Sequence, residues 1–231
     1  MAWNDITVEQ YQALYPYVKD ETLTDIERDC RIIGILHNMT EAQVDRLPFD
    51  RFKKLRASIQ FLHKEEITSE PVNVLRTPDG KAYRVNYDVR KVPIARYAEV
   101  KFFAGNEKEI VRNLHCILAS MVQPAKRRFG RYFALPYEAD QHEQYAHDML
   151  RVPFKHAWYA MVFFCNLYAN WMRASQAYLA NQTPNEAEKQ KTINLLAGLC
   201  NDLDGFIKSN GLPIITGSPS TKPGKWPRLK P

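Results

Sequence analysis

Glycine is scarce in this chain, 9 in 231 residues. A many-stranded sandwich or barrel turns too often to be built with so few flexible positions, so helices are expected to dominate. Long apolar runs are missing too. The nearest, Ala157 to Met172, falls short of the ~20 residues that span a bilayer and contains Asn166 and Asn170, which predicts a buried helix and no membrane partner. The opening "MAWNDITVEQ" lacks the basic start and apolar core of an export signal, and export is not expected. Cysteine occurs four times, as Cys30, Cys116, Cys165 and Cys200, but never as a C-x-x-C pair. Buried thiols in a reducing cytoplasm are expected rather than disulfides or metal ligands. There is no G-x-S-x-G elbow and no phosphate-binding glycine loop.

What is present is the composition of a folded protein of one or two modules, 45% hydrophobic and 25% charged. The net charge of +6 is unevenly placed. "QPAKRRFGRYF" brings Lys126, Arg127, Arg128 and Arg131 with no acid, and the last twenty-odd residues bring Lys222, Lys225, Arg228 and Lys230, again with no acid. These two segments carry more positive charge than the whole chain, so the remainder is net negative. Both are predicted to be loops. Phe129 and Tyr132 stand beside the first set of cations and Trp226 among the second. Guanidinium groups that meet phosphate, beside rings that stack on bases, make a nucleic-acid contact, and a protein-binding arm has the same make-up.

"HEQYAH" at residues 142 to 147 is one residue away from the zinc-binding HExxH. The spacing decides against a metal. Histidines four apart are offset by about 40° on a helix, whereas His142 and His147, five apart, are turned by about 140° and do not share one tetrahedral ion. Glu143 and His147, at i and i+4, are expected to be solvated, with Tyr145 and Met149 facing the core. His115 and Cys116 are adjacent and point about 100° apart, so they do not form a nucleophile–base pair. No catalytic residue, metal or cofactor is expected.

Along the chain, Thr7 with Gln10 and Thr40 with Gln43 predict capping boxes that open helices. Between them Ile26, Cys30, Ile33 and Leu36 form a predicted apolar stripe, and Phe49, Phe52, Leu55, Ile59 and Leu62 form another, with Pro48 in its first turn. Tyr83, Val85, Tyr87 and Val89 then alternate with polar residues behind the turn Thr77-Pro78-Asp79-Gly80, predicting a β-hairpin over 72–91. A lone hairpin is marginal in water, so it must lie on helices, pair with another strand or project as an arm. Helices resume at "IARYAEVKFF" and at "NEKEIVRNLHCILASMV", the latter with Ile110, Leu114, Ile117, Leu118 and Met121 on one side. A central helix over 153–179 and a last one striped by Ile193, Leu196, Leu199, Leu203 and Ile207 follow.

The expected fold is mainly α, a helical bundle with one inserted β-hairpin and an extended Pro-rich basic C-terminal tail. Its parts are a small helical module over 1–70, the hairpin over 71–93, a helical core over 94–210 and the tail over 211–231.

"WNDITVEQYQALYPYV" and "DIERDCRIIGILHNMTEAQVDRLPFDRFKKLRASIQFL" resemble the opening of the tail-assembly and baseplate-hub chaperone proteins of tailed bacteriophages, in which an "IT.EQY..L" helix precedes an "I.IL...T...V..LP...F" module. "IARYAEVKFF" and "LHCILASMVQP" resemble the continuation in phages of Bacteroidetes hosts. The resemblance implies a non-enzymatic morphogenesis protein that binds other phage proteins, the tape measure protein or neighbouring virion subunits, in the host cytoplasm during assembly. The proline-rich tail leaves a permanent virion subunit open as the role, and self-association stays open as well. The alternative is a nucleic-acid-binding protein that uses residues 126–131 and the tail.

Overall fold

The computed structural model describes residues 1–64, 67, 71–87, 107–164, 190 and 194. The chain forms two compact units, residues 1–161 and 162–231. In the second, residues 162–164 are helical and Gln190 donates to Asn194 at 2.8 Å. The expected helix over 94–103, the outer half of the one over 153–179, the final helix and the tail over 211–231 lie outside the described residues.

The first unit is mainly α with a small four-stranded antiparallel sheet. Three helices open as threonine positions dictate. Thr7 starts α1 (Val8–Val18) and Thr40 starts α3 (Glu41–Asp45), each through the expected capping box with Gln10 or Gln43. Thr24 does the same for α2 (Asp25–Leu36) with Glu27, a box not among those expected. α2 closes at Asn38 (φ 51), where Met39 N–H donates to Gly34 O at 2.8 Å. A side chain at Gly34 would place its Cβ 3.0 Å from Met39 O, so it would push this close return of the chain outward by a few tenths of an ångström.

Two predicted stripes hold only in part: Ile33, Leu36 and Ile59 are buried as expected, and Ile26 and Phe49 are not. In α2 the buried residues are Asp29, Ile32, Ile33 and Leu36, while Ile26 is 62% exposed. The seat expected to be apolar goes to Asp29, which is held by Arg56 Nε at 2.5 Å. α4 (Phe49–Ser58) buries no residue, Phe49 is exposed, and Pro48 is its N-cap residue; the burial falls just beyond its end, on Ile59 and on Phe61 of α5 (Phe61–Lys64).

Of the hairpin expected over 72–91, β1 (Val74–Arg76) and β2 (Ala82–Val85) form, and residues 88–91 with Val89 lie outside the described residues. Its turn works as the residues predict: Gly80 takes φ 86, its N–H donates to Thr77 O at 3.0 Å, and Leu75, Tyr83 and Val85 are buried. The hairpin is not alone. β2 pairs with β3 (Val122–Arg128), which pairs with β4 (Arg131–Ala134) in the order β1-β2-β3-β4.

α6 (Glu107–Arg112) and α7 (Leu114–Met121) occupy the stretch predicted as one helix, and all five of its expected apolar residues are buried. α7 packs on α8 (His142–Leu150) and runs directly into β3. A further helix, α9, begins at residue 154. Before it, Thr7 bridges Pro153, Val8 N–H donates to Val152 O at 3.0 Å and Phe154 N–H to Ile6 O at 2.8 Å. There Tyr11 stacks on Phe154 with ring centroids 3.7 Å apart, and Trp3 and Trp158 close around them. These rings tie α1 to the start of α9 in one core.

Candidate interaction surface

The residues expected to form the basic loop form a ribbon instead. Lys126, Arg127 and Arg128 end β3, Arg131 and Tyr132 begin β4, and Phe129-Gly130 connect them. The register pairs Lys126 with Phe133, Arg127 with Tyr132 and Arg128 with Arg131. With φ 49 at Phe129 and φ 77 at Gly130, the connection has the positive φ at both central positions that marks a type I′ turn, which suits the twist of the two strands.

β3 has a partner on both sides only as far as Ala125, opposite Ala82. Beyond that, among the described residues, the ribbon is two-stranded. The alternation of a strand puts Val122, Pro124, Lys126 and Arg128 on one face. Val122 is fully buried, Pro124 is half-buried, and Lys126 and Arg128 are exposed. The face that covers the core at the base of the sheet therefore continues past the body into solvent. All residues from Lys126 to Arg131 are exposed, and Phe129 at the tip is 99% exposed. Phe133 is half in solvent, while Tyr132 is partly covered, with the Arg76 guanidinium 5.0 Å from its ring centre. Among the described residues none of the four cations is ion-paired.

The rest of the expected surface, Lys222, Lys225, Trp226, Arg228 and Lys230, lies outside the described residues.

"HEQYAH" is the start of α8, with Tyr145 and Met149 buried as expected and Glu143 and His147 exposed. His142 is partly covered and its Nδ1 lies 2.7 Å from Tyr137 Oη. Among the described residues no three His, Cys, Asp or Glu side chains come together as metal ligands do. His115 Nδ1 meets Gln12 Nε2 at 3.1 Å, and burial, then the nearby His142, lowers its pKa. Burial raises the Cys116 thiol, which makes it a poor nucleophile.

α8 also carries a residue that periodicity does not reveal. Asp148, 1% exposed, accepts from Lys81 Nζ at 2.8 and 2.9 Å, from Tyr83 Oη and from Gln144. Arg151 reaches Asp79 at 3.1 Å. Burial pushes the Asp148 carboxyl up, but the Lys81 and Tyr83 hydrogen bonds outweigh it and leave the group below its ordinary value. α8 thus clamps the β1–β2 hairpin and, through β2, fixes the base from which the β3–β4 ribbon projects.

A second exposed feature lies between α2 and α3. It is a groove of about 460 Å³ with an apolar lining that includes Leu23, Ile26, Cys30, Ile35 and Met39, and with Glu27, Glu41 and Asp45 beside it. Arg31 also lines it and is already bound to Glu41 at 2.6 Å.

No protein-family model, curated protein or solved structure matches the chain. Among the described residues no helix is long and apolar enough to cross a membrane.

Proposed function

We propose that this chain is a non-enzymatic morphogenesis protein of a tailed bacteriophage, a tail assembly chaperone or a virion subunit, and that the β3–β4 ribbon is the element by which it holds another phage protein. The observation that supports a contact role is Phe129. A large apolar ring that is 99% exposed in a left-handed backbone conformation gains nothing for folding, on hydration or on conformational grounds. Such strained positions collect where a surface is used. The four cations around the ring add charge steering to an apolar anchor, the make-up of an interface hot spot. The phage assignment rests on the similarity of residues 3–65, and more loosely of 94–179, to the tail chaperones. The basic segment at 222–230, with Trp226, would be a second contact.

The test is capture from phage-infected cells. Tagged protein is expected to retain the tape measure protein or a neighbouring tail subunit, and Phe129→Asn is expected to lose it. Mass spectrometry of purified particles then separates the two roles, because a transient chaperone is absent from mature virions. Retention of no phage protein by the unaltered chain would sink the reading.

The ribbon also supports a second reading, as a nucleic-acid contact. A two-stranded ribbon fits the major groove of DNA, and four cations without an acid suit phosphate. This reading expects DNA or RNA affinity that falls steeply with salt and drops when Arg127, Arg128 and Arg131 all become alanine. Unchanged affinity in that triple variant would count heavily against it.

A further inference from the structure

We propose that the β3–β4 ribbon of one copy docks in the α2–α3 groove of a second copy, so that chains join head to tail. The inference deepens the reading of the ribbon as an assembly contact by naming this chain as one of its partners.

The two surfaces are complementary in chemistry. The ribbon offers an apolar tip, Phe129, among Lys126, Arg127, Arg128 and Arg131, with no acid from Val122 to Ala134. The groove offers an apolar floor beside three acids and one arginine. That arginine is engaged with Glu41, which leaves Glu27 and Asp45 as the surplus negative charge. A volume of about 460 Å³ lies in the range of pockets that bury compact aromatic ligands, ample for one phenylalanine ring. Like charges set tip against tip and groove against groove, so the pairing favoured is tip to groove.

Within one chain the ribbon tip does not fill the groove, because Phe129 is 99% exposed and Ile26 is 62% exposed. The contact is therefore between copies. A tip and a groove are different patches, so the interface is heterologous, and every copy that engages its tip still presents a free groove. Such contacts close into rings or run on as filaments.

The experiment is sedimentation of the full chain at rising concentration in low salt, with two single variants. Phe129→Asn removes the ring and suits the positive φ. Ile26→Lys places a cation in the groove at a site already 62% exposed, so the core is untouched. The unaltered chain is expected to form species larger than a dimer, weakened at least tenfold when salt is raised through the range in which surface charges are screened. Each variant alone is expected to be a monomer. An equimolar mixture of the two is expected to give a dimer that stops there, because one copy brings the only intact tip and the other the only intact groove. An unaltered chain that stays monomeric at high concentration, or a mixture that does not pair, overturns the proposal, as does a dimer that survives both substitutions. If the unaltered chain is monomeric and yet captures a tail protein through Phe129, head-to-tail docking fails and the assembly reading stands. If chains associate as expected but retain no phage protein, the assembly reading fails by itself.

Discussion

Phe129 holds a conformation in which its Cβ crowds the following carbonyl oxygen, at a cost of roughly 1–2 kcal/mol for an ordinary L-residue. Asparagine tolerates it best after glycine. Phe129→Asn is therefore expected to raise the stability of the protein by about 0.5–1 kcal/mol in denaturant unfolding while abolishing partner capture. A substitution that stabilises and disables together separates a contact residue from a structural one. If Phe129→Asn instead destabilised the fold, the ring would be packing on something, and the contact role would have to be withdrawn.

At the scale of elements, the junction between α8 and the first hairpin sets a pH dependence. The Asp148 carboxyl is charged more readily in the folded protein than in the unfolded chain, where its value is near 3.8. Its contribution is complete above that value and is lost as pH falls through the lower folded one. Tyr83 works at the other end. Burial, then the hydrogen bond to Asp148, raises its pKa above 10, so stability declines once the pH exceeds 10 and only the unfolded tyrosine ionises. Asp148→Asn is expected to cost about 1–3 kcal/mol, below the usual cost of breaking a buried pair because Lys81 can turn to water. It should also flatten the acid limb of a stability–pH curve, and an unchanged acid limb would show that the clamp carries little.

The elements also show which parts of the molecule a sequence reveals. Tyr83 and Val85 alternate over a covered face behind a proline–aspartate–glycine turn, so the first hairpin was legible. The second was not, for reasons in its own residues. β3 begins at Val122 with no spacer after Met121 and carries Pro124, a residue that argues against a strand paired on both sides. Its outer half bears charges in the core-facing register because no body lies beneath it, and its turn lacks the usual asparagine. In α2 the apolar residues lie on two faces, and the one that goes inward, with Ile32, Ile33 and Leu36, also carries Asp29, whose partner Arg56 is far away in the sequence. The proposed contact residues Lys126 to Tyr132 were visible as a charge cluster. The projecting ribbon and the groove were not, since both depend on which faces tertiary packing leaves uncovered.

Over residues 1–161, one aromatic cluster joins the two ends of the unit. Phe154 is fully buried against Trp3, Tyr11 and Trp158. Phe154→Ala is expected to cost about 3–5 kcal/mol and to lower the melting of α1 and of the sheet together, as one transition read by far-ultraviolet circular dichroism and tryptophan fluorescence. Separate transitions for the two probes would mean that the rings do not couple the halves.

The bridge from Thr7 to Pro153 and the bond from Phe154 to Ile6 join positions about 150 residues apart. Translation at ~5–20 residues per second separates the appearance of the two partners by roughly 7–30 s. During that interval α1 emerges with Tyr11 and Leu14 uncovered, and its permanent cover has yet to be made. The nascent chain thus carries an uncovered apolar face until residues 152–154 emerge, and a truncation that ends before residue 152 is expected to leave the ribosome as an aggregation-prone fragment.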